Sequence, residues 1–209
     1  MGIGGSKHTV EHMLSINGLN VKQDYVEFYS DVDSASLERF LYRLENNVLE
    51  SNFMIASKSG STFETKDGFL RVLQMLKDAY TAQGKSAEEA DKAAHKHFIA
   101  VTDANAEKSE LRRTSIEKGW LGDLFIHDDV GGRFSAFDDH ALFTLAYAGM
   151  KKEDMISMLN AAQEVSSESL TADLSVNDAL KEGIFWAEAK MNGICLLYTS
   201  PSPRDTERS

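Results

Sequence analysis

Residues 52–65 read NFMIASKSGSTFET, and this stretch decides the fold. Its first five residues are mostly apolar and have the length of a single buried strand, whereas residue 63 begins a long amphipathic pattern typical of a helix. Between them, residues 57–62 contain four hydroxyl side chains, one lysine and one glycine. A strand that passes through a short polar loop directly into a helix is the unit from which parallel α/β sheets are built.

The same alternation extends outward along the chain and predicts a parallel sheet with helical crossovers. After residue 133 the strand signals end and only helical patterns follow. The further predicted strands are 24–30, 97–102 and 123–127. The predicted helices are 34–49, 63–80, 86–95, 107–118, 138–149, 151–165 and 176–192.

Composition and charge exclude several classes of protein. The chain has 209 residues, of which 42% are hydrophobic and 26% charged, as in ordinary globular domains. Its net charge of −11 argues against non-specific binding to nucleic acid or to anionic membranes. No apolar run has the ~18 residues that a membrane span needs, and no secretory signal opens the chain. We therefore expect a soluble cytoplasmic protein.

The last fifteen residues, 195–209, differ in composition from the rest of the chain and contain its only cysteine and both of its prolines. They resemble a translated sequencing adapter more than a natural Ser/Pro-rich tail. We therefore exclude them as a non-native tail and expect them to pack poorly and to tolerate deletion. Residues 1–194 have no cysteine, so neither a disulfide nor a thiol nucleophile is expected there.

Residues 2–6 read GIGGS, a glycine-rich turn that opens a helix. Such turns normally follow a buried strand, and here only Met1 precedes the turn, so we expect a chain truncated at both ends. A dinucleotide site is disfavoured because Lys7 stands at the third glycine position of the fingerprint. A turn that brings backbone close to a ligand and a purely structural turn are equally good interpretations.

The loop at 57–65 is the strongest candidate site in the sequence. Backbone N–H groups at the start of a helix, together with Ser and Thr hydroxyls, form an anion cradle that needs no net positive charge. The alternative is a polar loop with an ordinary Ser or Thr helix cap, which explains any two of these hydroxyls better than all of them.

Residues 128–135, DDVGGRFS, are the second candidate. They follow the last predicted strand, at the edge where open α/β sheets bind ligands, and Arg133 offers donors to oxygen-rich groups. A solvated loop in which Arg133 pairs with Asp128 or Asp129 is an equally good interpretation.

Residues 8–12, HTVEH, match the H-x-x-E-H pattern of inverted zinc proteases. Both imidazoles would share one helical face with Glu11 as the base, but no third ligand is compelling. Surface histidines are the favoured interpretation, and no metal site is expected.

Three motifs together resemble the glucose-6-phosphate isomerase family, also called phosphoglucose isomerase. They are the GIGGS turn at 2–6, the SKSGSTFET loop at 57–65 and the VGGRFS segment at 130–135, in the family's order and at comparable spacing. The resemblance covers residues 1–194, with the VTD at 101–103 as a further family-like strand end.

The family fold that this resemblance implies is α/β: a SIS (sugar isomerase, flavodoxin-like) three-layer domain with a five-stranded parallel sheet and helices on both faces. Residues 1–150 would form this sugar-phosphate-binding domain, without its first strand. Residues 151–194 would be a helical segment that leads towards an absent second part, and residues 195–209 the adapter-like tail.

The resemblance also implies roles for individual residues. The hydroxyls of Ser57, Ser59 and Thr62, with the backbone at Lys58, would hold the phosphate of the sugar. The turn at Gly5 and Ser6 would lie beside the sugar, and Arg133 would assist proton transfer. The family's catalytic glutamate, histidine and lysine come from later segments, so we expect this chain to be inactive on its own. The implied substrate-binding residues are Gly5, Ser6, Ser57, Lys58, Ser59, Thr62, Gly132 and Arg133.

The implied activity is the interconversion of glucose 6-phosphate and fructose 6-phosphate in glycolysis and gluconeogenesis, by proton abstraction next to a carbonyl. Acid–base groups suffice for this chemistry, so no cofactor is expected. The resemblance implies a homodimer for the complete enzyme. The alternative is a non-catalytic SIS-type module that only binds a phosphosugar, which the context of Arg133 disfavours.

Overall fold

A computed structural model describes residues 1, 5–16, 21–22, 26–29, 33–127, 129–131 and 134–194, and for Ser6 it describes the backbone only. The chain divides into two compact units, residues 1–155 and the residues from 156 onward. The candidate site belongs to the first unit.

Three parallel strands form the sheet of the first unit, in the order β1-β2-β3: β1 (Phe53–Ala56), β2 (Phe98–Thr102) and β3 (Gly122–Phe125). Phe53 of β1 lies opposite Phe98 of β2, and Ile99 of β2 lies opposite Gly122 of β3. β2 has a neighbour on each side and all five of its residues are buried. Its sequence, FIAVT, has the continuous apolar character that such a position requires.

Helices surround this sheet. The helices of the first unit are α1 (Gly5–Ser15), α2 (Ser34–Leu44), α3 (Phe63–Ala82), α4 (Ala87–His95), α5 (Glu110–Lys118) and α6 (Asp139–Tyr147), with a short 3-10 helix at Val48–Glu50. Local signals set several of their ends. Ser86 and Glu89 form a reciprocal capping box at the start of α4, and Gly119 ends α5 in the left-handed conformation with φ of 60°.

The two faces of the sheet are covered by different helices. On one face, Phe53 and Phe98 join an apolar cluster with residues of α2, α3 and α4, such as Phe69. On the other face, Met54 contacts α6, because the Thr144 hydroxyl lies 3.7 Å from its sulfur. Helices therefore lie on both faces of a parallel sheet, which confirms the predicted three-layer α/β class.

Four side chains form an aromatic cluster between β2 and α3–α4. The Phe98 ring lies 5.0 Å from Phe69 and 5.2 Å from Trp120, measured between ring centroids. Trp120 donates its indole N–H to Nδ1 of the buried His95 at 3.0 Å. His95 is thus held as a neutral imidazole whose proton is on Nε2.

The predicted strand at 24–30 is wrong for the residues that the structure describes there, 26–29, which belong to no strand. Tyr29 is buried and stacks on Phe40 of α2 at 5.2 Å between centroids. Tyr29 is therefore apolar because it packs on helix α2, and not because it belongs to a strand of the sheet. The five-stranded sheet of the family is accordingly represented by three strands in the described residues.

Backbone of Met1 pairs with the edge of β1 that faces away from β2. The amino group of Met1 donates to the Met54 carbonyl at 2.6 Å, and the amide of Ala56 donates to the Met1 carbonyl at 2.8 Å. Burial lowers the pKa of this amino group to about 5. Met1 thus occupies a strand position beside β1.

The second unit contains most of α7 (Lys152–Glu168) and all of α8 (Asp178–Met191). The side chain of Asn177 caps α8, since its Oδ1 accepts from the Leu180 amide at 2.8 Å, while its Nδ2 donates to the Thr171 carbonyl. Among the described helices of both units, none is long and apolar enough to cross a membrane.

Lowering the pH should destabilise the fold through His95. Burial lowers the pKa of this imidazole below 6.5, although Asp91 opposes the shift. The unfolded chain therefore binds a proton that the folded chain does not, so this contribution to stability is complete above pH 6.5 and declines as the pH falls below it. We expect the urea concentration at the midpoint of unfolding to decrease when the pH is lowered from 7.5 to 5.5. The decrease should be smaller in the His95→Gln variant.

The difference between wild type and His95→Gln measures the contribution of His95 to the pH dependence. The buried amino group of Met1 adds a pH dependence of the same sign, but it does so in both proteins. His12→Gln, which replaces an exposed imidazole on α1, is the matched control and should retain the wild-type dependence. An identical change in midpoint for wild type and His95→Gln would contradict the prediction.

Candidate functional site

The loop at 57–62 joins β1 to α3 at the carboxyl edge of the sheet. Because the three strands are parallel, the residues that follow β2 and β3 lie along the same edge, at spacings of about 5 Å between neighbouring strands. This is the edge at which open α/β sheets bind ligands.

The structure brings Ser57 and Thr62 together. Their hydroxyl oxygens are 3.2 Å apart, and Ser57 Oγ also accepts from the Gly60 amide at 3.1 Å. Ser57 is 7% exposed, whereas Thr62 is half-buried. The two ends of the loop are therefore closed by one pair of hydroxyls at the start of α3.

Ser59, which the sequence grouped with these two residues, pairs elsewhere in the loop. Its Oγ lies 2.6 Å from Ser61 Oγ and accepts from the Ser61 amide at 3.2 Å, and both side chains are exposed. Ser61 is thus a loop hydroxyl that the sequence analysis did not single out, although it stands inside the quoted motif. The Lys58 side chain is exposed as well.

The first turn of α3 has no side-chain cap. Thr62 occupies the N-cap position, but its hydroxyl accepts no hydrogen bond from the helix. The Lys66 amide donates to the Thr62 carbonyl, which leaves the amides of residues 63–65 without a helical acceptor. The interpretation of this loop as an ordinary Ser or Thr cap is therefore wrong, and the positive end of a 20-residue helix faces the loop.

A small cavity of about 40 Å³ lies between the loop, α3 and α5 and is lined by Ser57, Gly60, Thr65 and other residues. Thr65 is buried, and its hydroxyl has no hydrogen-bond partner within the described residues. Beside the cavity, Lys66 donates to Glu110 at 2.8 Å and thereby lowers the pKa of that carboxyl. The ammonium of Lys66 thus forms an exposed ion pair beside the cavity.

The connection between β2 and α5 supports the loop from behind, and sequence reasoning missed this. The carbonyl of Lys58 accepts from the hydroxyl of Thr102, and the carbonyl of Ser59 accepts from the amide of Glu110. The only signal in the sequence is the family-like VTD at 101–103, which predicts a strand end but no contact with the loop.

Gly132 and Arg133, from the third motif, lie outside the described residues, as does Asp128. Nearby, the imidazole of His127 is held through Nδ1 at 3.2 Å from an oxygen of the buried Asp138. Ser135 and His140 are both buried, with Ser135 Oγ 3.4 Å from His140 Nε2.

The GIGGS turn is described only from Gly5, which is the first residue of α1, and the Ser6 side chain is not described. Further along α1, Glu11 lies 3.3 Å from both Lys7 Nζ and His8 Nδ1. In the described part of the chain, no group of three or more His, Cys, Asp or Glu side chains is arranged to hold a metal ion.

Comparison with known proteins identifies relatives over most of the chain. The family profile "Phosphoglucose isomerase" matches residues 1–185. The chain is 27% identical over 186 residues to the glucose-6-phosphate isomerase of Trichormus variabilis and 29% identical over 186 residues to that of Rippkaea orientalis. Each alignment covers 89% of this chain and 32% of the relative. The glucose-6-phosphate isomerase of Mycoplasmopsis pulmonis is 28% identical and is covered to 40%.

A solved structure is also similar. The crystal structure of a hypothetical protein from Thermus thermophilus superposes with a TM-score of 0.69 at 26% identity, over 91% of this chain and 41% of that one. The chain spans about a third of the length of the relatives from Trichormus variabilis and Rippkaea orientalis.

Replacing Gly60 by alanine should distort the loop. Gly60 has φ of 79°, and a Cβ there would lie 2.5 Å from the Leu111 amide nitrogen, a backbone atom that a rotamer change cannot move. We expect Gly60→Ala to lower the free energy of unfolding by about 1–3 kcal/mol, measured by urea denaturation.

Gly84→Ala is the matched control for this variant. Gly84 also has a positive φ, of 91°, but no atom lies within 4 Å of the position that its Cβ would take. It should therefore show the conformational cost alone and lose less stability than Gly60→Ala. Equal losses in the two variants would show that the contact with Leu111 is unimportant.

Proposed function

Because the chain belongs to the phosphoglucose isomerase family, we propose that the complete protein interconverts glucose 6-phosphate and fructose 6-phosphate and that this part of it holds the phosphate. One observation carries the second part of the proposal: the Ser57–Thr62 hydroxyl pair lies at the uncapped start of α3. Helix N-termini of this kind are ready-made sites for anions.

Neutral donors make this site compatible with a chain of net charge −11. The amides of residues 63–65 and the one hydroxyl proton that the Ser57–Thr62 pair does not use internally would serve a phosphate, whereas Lys66 is paired with Glu110. Hydrogen bonds from such groups, with the helix dipole behind them, stabilise an anion without a cationic side chain.

The phosphate anchor would serve catalysis indirectly. Isomerisation moves a proton between carbons next to a carbonyl, at the other end of the sugar from the phosphate. Binding energy gained at a remote, unreactive group holds the reacting carbons in place for an acid and a base, which is how remote contacts contribute to rate. In this proposal the loop binds the phosphate and orients the sugar, and a base in another part of the protein removes the proton.

Several finer assignments remain predictions from the family resemblance. They are the roles of Gly5 and Ser6 beside the sugar, the roles of Gly132 and Arg133, the homodimer and the cytoplasmic location. A non-catalytic phosphosugar-binding module is the alternative, and the relatives named above are isomerases by name.

Removing the hydroxyl pair should weaken binding of a sugar phosphate. We expect Ser57→Ala and Thr62→Ala each to cost on the order of 1–2 kcal/mol of binding free energy for glucose 6-phosphate, because each breaks the hydroxyl pair at the start of α3. The measurement is a titration of this chain followed by NMR or calorimetry. Thr81→Ala, which removes an exposed hydroxyl near the other end of α3, is the control and should bind normally.

Normal binding by the Ser57→Ala/Thr62→Ala double variant would show that the phosphate lies elsewhere. Loss of binding in the Thr81→Ala control would instead point to a general effect on the fold.

The 209-residue chain should not isomerise glucose 6-phosphate by itself. The resemblance assigns the proton-abstracting glutamate to a later segment, and loss of general acid–base participation alone lowers a rate by about 10²–10⁴-fold. A coupled assay on the purified chain, free of host isomerase, is the measurement. Turnover that Glu64→Gln abolishes would contradict the prediction and place the base in the first turn of α3.

A further inference from the structure

The Lys58 carbonyl is held by two donors from the end of β2. The hydroxyl of Thr102 donates to it at 2.9 Å and the amide of Asp103 at 3.2 Å. Thr102 is 0% exposed, so its hydroxyl is removed from water entirely. Burying a hydroxyl without a hydrogen bond lowers the stability of the fold. The bond to the Lys58 carbonyl therefore compensates for the burial of the Thr102 hydroxyl.

A directed chain of hydrogen bonds runs from α5 through Thr102 to the loop. Ser109 Oγ accepts from the Arg112 amide at 3.1 Å and lies 2.6 Å from Thr102 Oγ1. An amide N–H only donates and a carbonyl only accepts, and each hydroxyl has a single proton to give. Because Thr102 donates its proton to Lys58, Ser109 must donate to Thr102. Ser109 is also 0% exposed, so both hydroxyls are satisfied inside the protein.

The next carbonyl of the loop is held by the same connection. Ser59 O accepts from the Glu110 amide at 3.0 Å. In a trans peptide the C=O and the N–H point in opposite directions, and the described chain has no cis peptide. The Lys58 carbonyl shares a peptide with the Ser59 amide, and the Ser59 carbonyl shares the next peptide with the Gly60 amide. Because both carbonyls point towards β2 and α5, both amides point away from them. The Gly60 amide accordingly meets Ser57 Oγ at 3.1 Å.

We propose that Thr102 and Ser109 are positioning residues for the sugar phosphate, which they never touch: their hydroxyl chain fixes the backbone of the 57–62 loop and thereby holds the Ser57–Thr62 hydroxyl pair at the start of α3, where the anion would bind. This inference rests on the proposed function for the binding step. The clamp itself is a property of the ligand-free chain.

Two measurements on the 209-residue chain test the proposal. Amide hydrogen exchange of residues 58–62 reports on the clamp without ligand, and titration with glucose 6-phosphate reports on positioning. In Thr102→Val and in Ser109→Ala we expect faster exchange in the loop and an affinity weaker by roughly 3- to 10-fold, the loss of about one hydrogen bond. Thr102→Ser, which keeps the hydroxyl and loses only a methyl group, should restore both properties if Thr102→Val folds poorly.

The double variant tests whether the two hydroxyls act as one chain. Thr102→Val removes the bond to the Lys58 carbonyl, and Ser109→Ala removes the bond that orients the Thr102 hydroxyl. Both changes act on one chain, so Thr102→Val/Ser109→Ala should bind only slightly worse than the single variant that binds more weakly. Losses that multiply would show two independent contributions and would overturn the chain.

Ser115→Ala is the matched control, since Ser115 is a buried serine of α5 whose hydroxyl contacts Arg112 and Asp123 rather than the loop. It should lower the melting temperature yet leave loop exchange and affinity unchanged. Equal loss of affinity in Ser115→Ala would overturn the proposal, because general destabilisation would then explain the effect.

The two measurements separate this inference from the proposed function. A wild-type chain that binds no glucose 6-phosphate at millimolar concentration would contradict the proposed phosphate site. Loop exchange would still decide the clamp, and unchanged exchange in Thr102→Val and Ser109→Ala would overturn it.

Discussion

The complete burial of β2 is the constraint on which the rest of the first unit depends. Residues 99–101 are paired with strands on both sides and all five residues are buried, so their backbone groups must bond within the protein and their side chains must be apolar or internally bonded. Phe98, at the start of the strand, anchors the aromatic cluster. Thr102, at its end, is the one polar side chain, and it bonds to the loop after β1.

This arrangement couples the candidate site directly to the core. The carbonyls of Lys58 and Ser59 are held by β2 and α5, while the hydroxyls of Ser57 and Thr62 close the loop on its other side. A loop held from two sides offers preorganised donors, which lose little further freedom when they bind an anion. The Ser57–Thr62 bond and the Thr102–Lys58 bond are both partly buried, so water competes less with them than with exposed hydrogen bonds.

Electrostatics at the site depend on backbone dipoles more than on charged side chains. The lysine next to the cavity is paired with Glu110, and the start of α3 lacks a side-chain cap. Leaving a helix start uncapped costs about 1 kcal/mol, a cost that a bound anion at that end would offset. The same reasoning reconciles the strongly acidic chain with the anionic ligand proposed for this site.

The amino-acid sequence by itself determined the strand–loop–helix unit at 52–65 and the alternation of strands and helices that follows it. These features depend on neighbours within a few residues, which periodicity and cap preferences report. The tertiary structure alone decided that Tyr29 packs on Phe40 instead of pairing in the sheet, and that Ser59 bonds to Ser61 instead of joining Ser57 and Thr62. It also joined Lys58 to Thr102, 44 residues apart, and Thr102 to Ser109. Such contacts depend on which strands are neighbours and in which register they pair, and no local pattern in the sequence records that.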